Sequence, residues 1–243
     1  YRPFCTFIVL FFLLVFSSQL FAADPLTIVV EGVEDDVRDN VTAALSLPEE
    51  FVAQGNVDRL LLKRLGLQAE KKVKMAVEPF GYYNAKIDVQ IEETSPGKFL
   101  LKVVINRGEP VRLAEVSVLL RGPGAVEEPL KKLAGLFPLA KGDVLLQQKY
   151  EEAKEALLSK SQELGYLDAE FAVHEIYIAK DALSARIRLE LETGGKYFFD
   201  GTTIEGAPNY NDKFLHRYLM FKEGDLFSYE KLGETQVNFI NSE

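Results

Sequence analysis

The chain of 243 residues carries a formal charge of −9, with 27% charged and 47% hydrophobic residues. Those proportions belong to an ordinary globular protein, long enough for one large domain or roughly two to three small ones. The acidic balance argues against a nucleic-acid partner, which calls for a basic face or stripe, and no Lys/Arg run has the density that grips anionic lipid.

The first 23 residues differ from the rest. Arg2 precedes the 13-residue apolar run FCTFIVLFFLLVF (4–16), and the polar SSQLFAAD follows. This is the order of a secretory signal, and the run is shorter than the roughly 20 residues of a spanning helix. Cleavage near Ala23 is expected, although Leu20 or Phe21 fits the −3 position imperfectly; an uncleaved membrane anchor is the alternative. The chain starts at Tyr1 without a Met, so a missing true start is expected. Cys5, the only cysteine, lies in this segment. The remainder has no thiol for a disulfide, a metal site or a nucleophile, which suits an exported protein.

From Asp24 onward one unit is written twice. LTIVVEG (26–32) alternates as a strand and ends in a turn at Gly32. Val73, Ala76, Val77 and Phe80 form a helical stripe, with Pro79 forcing a kink or stop near its end. FGYYNAKIDVQIEE (80–93) places Gly81 where a left-handed residue closes a helix. Tyr82 then lays a ring over the core as the chain enters a strand around Ile87–Ile91. After a turn at Ser95-Pro96-Gly97, FLLKVVI (99–105) returns as a third strand.

The second copy runs from LAEVSVLLRG (113–122) through YEEAKEALLSKSQEL, where Tyr150, Ala153, Leu157, Leu158, Ser161 and Leu164 share one helical face. LGYLDAEFAVHEIYI (164–178) repeats the Gly-Tyr pair as Gly165-Tyr166, 84 residues after the first. Its strand, with Val173 inward and His174 outward, is followed by a turn at Lys180-Asp181 and by ARIRLELE (185–192). Each unit therefore reads β-α-α-β-β, a three-stranded sheet packed on two helices. A third unit opens at KYFFDGTTIEG (196–206). Its FKEGD matches LAKGD in the second, so that Gly224-Asp225 corresponds to Gly142-Asp143. Spacing would put a third Gly-Tyr near position 247, so the sequence reads as a fragment.

The repeated β-α-α-β-β unit with Gly-Tyr before its second strand resembles the POTRA (polypeptide-transport-associated) domain. GEPVRLAEVSVLLRG, LTIVVEG, FGYYNAKI, LGYLDAEF and FKEGD together resemble the periplasmic region of the TamA branch of the Omp85 superfamily. The resemblance implies an α+β chain of tandem POTRA domains. A signal peptide at 1–23 would precede domains at 24–110, 111–194 and 195–243, the last truncated before an expected outer-membrane β-barrel. It further implies non-catalytic docking, with no cofactor, of unfolded outer-membrane clients and a TamB-like inner-membrane partner. In the family the second strand lies at a sheet edge and can pair with an extended segment. Here that singles out Lys86, Asp88, Gln90, Glu170, Ala172 and His174. A two-partner secretion transporter, a BamA-like assembly factor and an inner-membrane scaffold remain rival readings.

Chemical constellations are weak. His174 and His216 lie in different units without ligand-spaced partners. The acidic pairs Glu49-Glu50, Glu92-Glu93, Glu127-Glu128 and Glu151-Glu152, and the run Glu34-Asp35-Asp36, fall on loops, strand ends and helix faces where solvation is the default. Gly194-Gly195-Lys196 lacks the upstream glycine and following Ser/Thr of a phosphate loop. No nucleophile elbow or dinucleotide fingerprint occurs.

Overall fold

A computed structural model describes residues 25–47, 58–207 and 209–241. The apolar segment 1–23 with Cys5, and the Glu49-Glu50 pair, lie outside the described residues. Two three-stranded sheets of identical topology organise the described residues from Leu26 to Glu192.

In the first, β1 (Leu26–Glu31) runs parallel to β3 (Lys98–Asn106), and β2 (Lys86–Ser95) pairs antiparallel on its other side. The helices α1 (Asp35–Leu45) and α2 (Arg59–Val77) cover one sheet face. Alternation places Leu101, Val103 and Ile105 of β3 against Val41, Leu45, Ala69, Val73 and Val77, all of them buried. Fully burying such a side chain contributes roughly 1.5–3 kcal/mol. Stability therefore concentrates on the central strand and the inner helix faces, while β2 buries only one side of Ile87, Val89 and Ile91 in part.

Asp58 opens α2 by accepting from the Leu60 and Leu61 backbone N–H groups, two of the donors a helix start leaves unpaired. The helix stops at Val77, and Pro79 sits in a 3-10 turn, Glu78–Phe80. Proline supplies no N–H for another α turn. Gly81 at φ +91° then reverses the chain, as the sequence implied.

The second sheet repeats this as β4 (Arg112–Arg121), β6 (Ser184–Glu192) and β5 (Glu170–Ala179), in the order β4-β6-β5. Helices α3 (Glu128–Gly135) and α4 (Gln147–Glu163) cover it. Tyr150, Leu157, Ile187, Leu189 and Leu191 lead its core.

One expectation fails here in detail. A bulge at Ala172 adds a residue to β5, because Phe171 faces Leu191 while Val173 faces Glu190. An inserted residue reverses the alternation beyond it. Val173, expected inward, thus shares the outer face with Glu190, and His174 lies opposite core-facing Leu189 yet remains exposed at the sheet edge.

Beyond the second sheet come α5 (Asp212–Leu215), a 3-10 turn (His216–Tyr218) and α6 (Tyr229–Ile240). Residues 196–206 form no strand apart from one bridge, Phe198 to Leu226. Among the described residues β1 and β4 each pair with the last strand of their own unit, while 196–206 has no such pairing. Phe199 is held instead by Phe221, stacked with centroids 3.7 Å apart, and by Phe227 at 5.0 Å.

Candidate functional site

Sheet order decides which backbone is available. Among the described residues β2 pairs with β3 alone and β5 with β6 alone, so each offers one row of N–H and C=O groups outward. Lys86, Asp88, Gln90 and Glu92 are exposed along β2, and Glu170, Ala172 and His174 along β5. Charges on an edge discourage indiscriminate pairing while leaving the backbone free. Gln90 Nε2 donates to Asp88 Oδ2 at 2.9 Å, so these two side chains lie along their own strand. The sequence-selected residues thus fall on two separate edges, not in one pocket.

The first unit adds a groove to its edge. Leu62, Gly66 and Leu67 of α2, with Ile91 and Phe99 of the sheet, line an open apolar groove of about 390 Å³. Arg59 closes one end with an ion pair to Glu93 at 3.1 Å. Gly66 makes the depth: a Cβ there would lie 2.7 Å from Ile91 Cδ1. The residue at the matching place in α4, 84 positions on as Gly165 is from Gly81, is Tyr150, which is buried in the second core. In the linear sequence a glycine inside a helix reads as a weak spot; the exchange of Gly66 for Tyr150 between aligned helices is the signal that marks it.

The paired motifs come together in a way that their separation in sequence hides. Gly81 accepts from Val111 N–H at 2.9 Å, and Val111 in turn accepts from Leu145 N–H at 3.0 Å. Leu113 N–H donates to Asp143 at 2.8 Å and Gly142 N–H donates back to Leu113 at 2.7 Å. The next junction copies every bond: Tyr197 to Gly165 at 2.8 Å, Phe227 to Tyr197 at 3.1 Å, Phe199 to Asp225 at 2.8 Å, Gly224 to Phe199 at 2.8 Å. Gly-Tyr of one unit and Gly-Asp of the next are two halves of one joint. The aspartates also brace their own turns, Asp143 Oδ2 accepting from Ala140 N–H and Asp225 Oδ2 from Lys222 N–H.

Residues 27–107 match the family model described as POTRA domain, TamA domain 1. The first unit is a POTRA domain. Its β-α-α-β-β order and β1-β3-β2 sheet are those the second unit repeats, so the chain is an α+β array built on the POTRA plan. It is similar to solved POTRA structures at low identity. POTRA3-5 of BamA from Haemophilus influenzae is 16% identical, with 90% of this chain and 85% of that one covered and a TM-score of 0.48. The N-terminal domain of Omp85 from Thermosynechococcus elongatus is 14% identical, with coverage of 88% and 83% and a TM-score of 0.34. POTRA1-3 of Omp85 from Anabaena is 13% identical, with coverage of 89% and 83% and a TM-score of 0.34.

In both POTRA units a cation clamps the tyrosine of the Gly-Tyr pair. Arg107 lies 5.6 Å from the Tyr82 ring centroid and donates to its hydroxyl at 3.3 Å. Lys196 lies 5.1 Å from the Tyr166 ring, and both Lys196 and the Tyr166 hydroxyl donate to Glu127 Oε1, at 2.8 and 3.0 Å. Those bonds, Lys196 first, hold the Glu127 carboxyl below its usual range, and the bond to Glu127 raises Lys196. Tyr83 crosses the first junction to pack on the second core, with Lys180 5.7 Å from its ring and Asn84 Nδ2 bonded to the Lys180 carbonyl at 2.9 Å. His216 bonds within its own helix to the Asp212 carbonyl. Among the described residues no cluster of His, Cys, Asp or Glu has metal-binding geometry, and no helix is long and apolar enough to cross a membrane.

Proposed function

We propose that the chain is the periplasmic docking region of a TamA-like outer-membrane assembly factor. In this reading a signal peptide at 1–23 precedes POTRA domains at 24–110, 111–194 and 195–243, and a β-barrel anchors them to the outer membrane. The work is non-catalytic. Extended segments of unfolded outer-membrane proteins, autotransporter type included, and of a TamB-like inner-membrane partner add as strands to β2 and β5. Backbone pairing is indifferent to side-chain identity, which suits a module with many clients, and weak contacts on successive units combine into avidity.

The observation that carries this reading is the pair of ten-residue strands at sheet edges, the first bordered by the Gly66 groove. In the groove, alternate side chains of a docked strand find apolar contact beside Ile91 and Phe99.

Crosslinking tests it. Protein beginning at Asp24 has no cysteine, so Gln90→Cys, His174→Cys and, on the exposed face of the central strand β6, Arg188→Cys each carry a single photoreactive label. A urea-unfolded outer-membrane protein diluted onto them is expected to crosslink at positions 90 and 174 and not at 188. Equal labelling at all three, or none, sinks the proposal. Gln90→Pro, if circular dichroism shows it folded, is expected to weaken capture at the first edge.

A further inference from the structure

The exposed side of α2 interleaves large apolar side chains with cations. Its buried side is Leu62, Leu65, Ala69, Val73 and Ala76. Its solvent side runs Leu60, Arg64, Leu67, Lys71 and Met75 at three- and four-residue spacing, one line on a helix, with Lys63 and Lys74 beside it. Leu60 is 58%, Leu67 78% and Met75 61% exposed. The helix holds the cations Arg59, Lys63, Arg64, Lys71, Lys72 and Lys74 against one carboxylate, Glu70, in a chain whose net charge is −9. Arg59 is taken by Glu93 and Lys74 by Glu70; Lys63, Arg64, Lys71 and Lys72 have no ion pair among the described residues. The linear sequence shows no dense basic run, and helical winding is what gathers these charges.

From this we propose that the solvent face of α2 binds the surface of an anionic phospholipid bilayer. Charge complementarity selects an anionic partner, and the leucines in the same line select one that also accepts apolar groups. The stripe from Leu60 to Met75 is about 22 Å long, a length that can lie along a plane. A basic helix with interleaved leucines seats its apolar side chains at the boundary of headgroups and acyl chains while its cations meet lipid phosphates. The corresponding helix, α4, is an internal contrast. It mixes Glu151, Glu152, Glu155 and Glu163 with Lys149, Lys154 and Lys160 and exposes no large apolar side chain. Lipid contact therefore belongs to the first unit. It uses neither edge strand, but Lys63 and Leu67 also line the groove beside β2, so a bilayer and a groove-bound client would compete at those residues.

Protein beginning at Asp24 retains every residue of both cores and removes the apolar N-terminal segment from the experiment. It is expected to float with phosphatidylglycerol-containing vesicles and not with pure phosphatidylcholine, and to be released as salt shortens the screening length. Each Lys or Arg neutralised near such a surface lowers partitioning about five-fold. Lys63→Gln/Arg64→Gln/Lys71→Gln together should therefore lower it about a hundred-fold, with an unchanged melting curve because all three are exposed. The chain has no Trp, so Leu67→Trp reports the apolar contact directly, its emission shifting to the blue on anionic vesicles. Failure to float, floating unaffected by the triple variant, or floating without a blue shift each overturns the proposal. Association with polyglutamate but not with vesicles assigns the face to an acidic protein and equally overturns it.

Discussion

Tyr150 is 2% exposed and packs in the second core, and its hydroxyl has no hydrogen-bond partner among the described residues. Burial pushes that phenol above its ordinary range, the nearby Glu151 charge adding to the effect. A buried polar group without a partner carries its desolvation cost uncompensated, so Tyr150→Phe is expected to stabilise the second unit by about 1 kcal/mol. A higher urea midpoint checks this. Glu127 gives the opposite case at the same scale. Its depressed pKa means that its contribution to stability is present above the ordinary carboxylate range and is lost as pH falls through the folded value. Lys196, raised by the same bond, contributes fully below the ordinary lysine range and loses its share as pH rises through its folded value. Thermal unfolding of the wild type should therefore show an acid limb that Glu127→Gln shortens, with little difference between pH 6 and 8.

At the scale of elements, α2 and α4 occupy the same place and do different things. Gly66 leaves a groove beside β2, and Tyr150 at the matching position of α4 is buried in the second core. Gly66→Ala puts a Cβ against the mobile end of Ile91, which can turn aside, and gains about 1 kcal/mol of helix propensity. The variant is expected to melt no lower than the wild type while the groove becomes shallower and client crosslinking at position 90 declines. A loss of stability with intact crosslinking would show that Gly66 is there for packing and not for the groove. The bulge at Ala172 makes the two edges differ again, since it turns Val173 outward, whereas β2 keeps regular spacing from Lys86 to Glu93 and shifts register only near its end, before Ser95.

For the whole molecule, the repeated joint matters most. Four backbone hydrogen bonds recur at each junction, two of them made by glycines, and at Gly81 and Gly165 the missing side chain allows the close approach. Gly165 has φ +87°, and a Cβ there would lie 2.5 Å from Leu226 Cδ1 and 3.3 Å from the Tyr197 carbonyl oxygen. A left-handed conformation costs an L-residue about 1–2 kcal/mol before any displacement. Gly165→Ala is expected to leave the first unit's unfolding transition unchanged while loosening the second joint, seen as a broader distribution of sizes in small-angle X-ray scattering. Scattering identical to wild type would mean that the joint is held elsewhere, for example by the Tyr197 hydroxyl bond to Asp168 at 2.7 Å.

The sequence by itself determined the unit and its repetition. Alternation in FLLKVVI and ARIRLELE, the helical stripe through Tyr150 and Leu157, and the glycine after each helix are local properties, written in the spacing of apolar residues and in the backbone freedom of one residue type. Those signals survive in one dimension because periods of two and 3.6 residues need no partner to be recognised. The tertiary structure alone decided what those residues meet. That Gly81 and Gly142-Asp143 belong to one joint, that Gly66 opens a groove and that Lys63, Arg64 and Lys71 share a face with Leu67 all depend on winding and on contacts between residues far apart in sequence. The opening of the third unit at 196–206 makes the same point from the other side. A strand exists only as a paired one, and among the described residues this stretch makes a single bridge, Phe198 to Leu226.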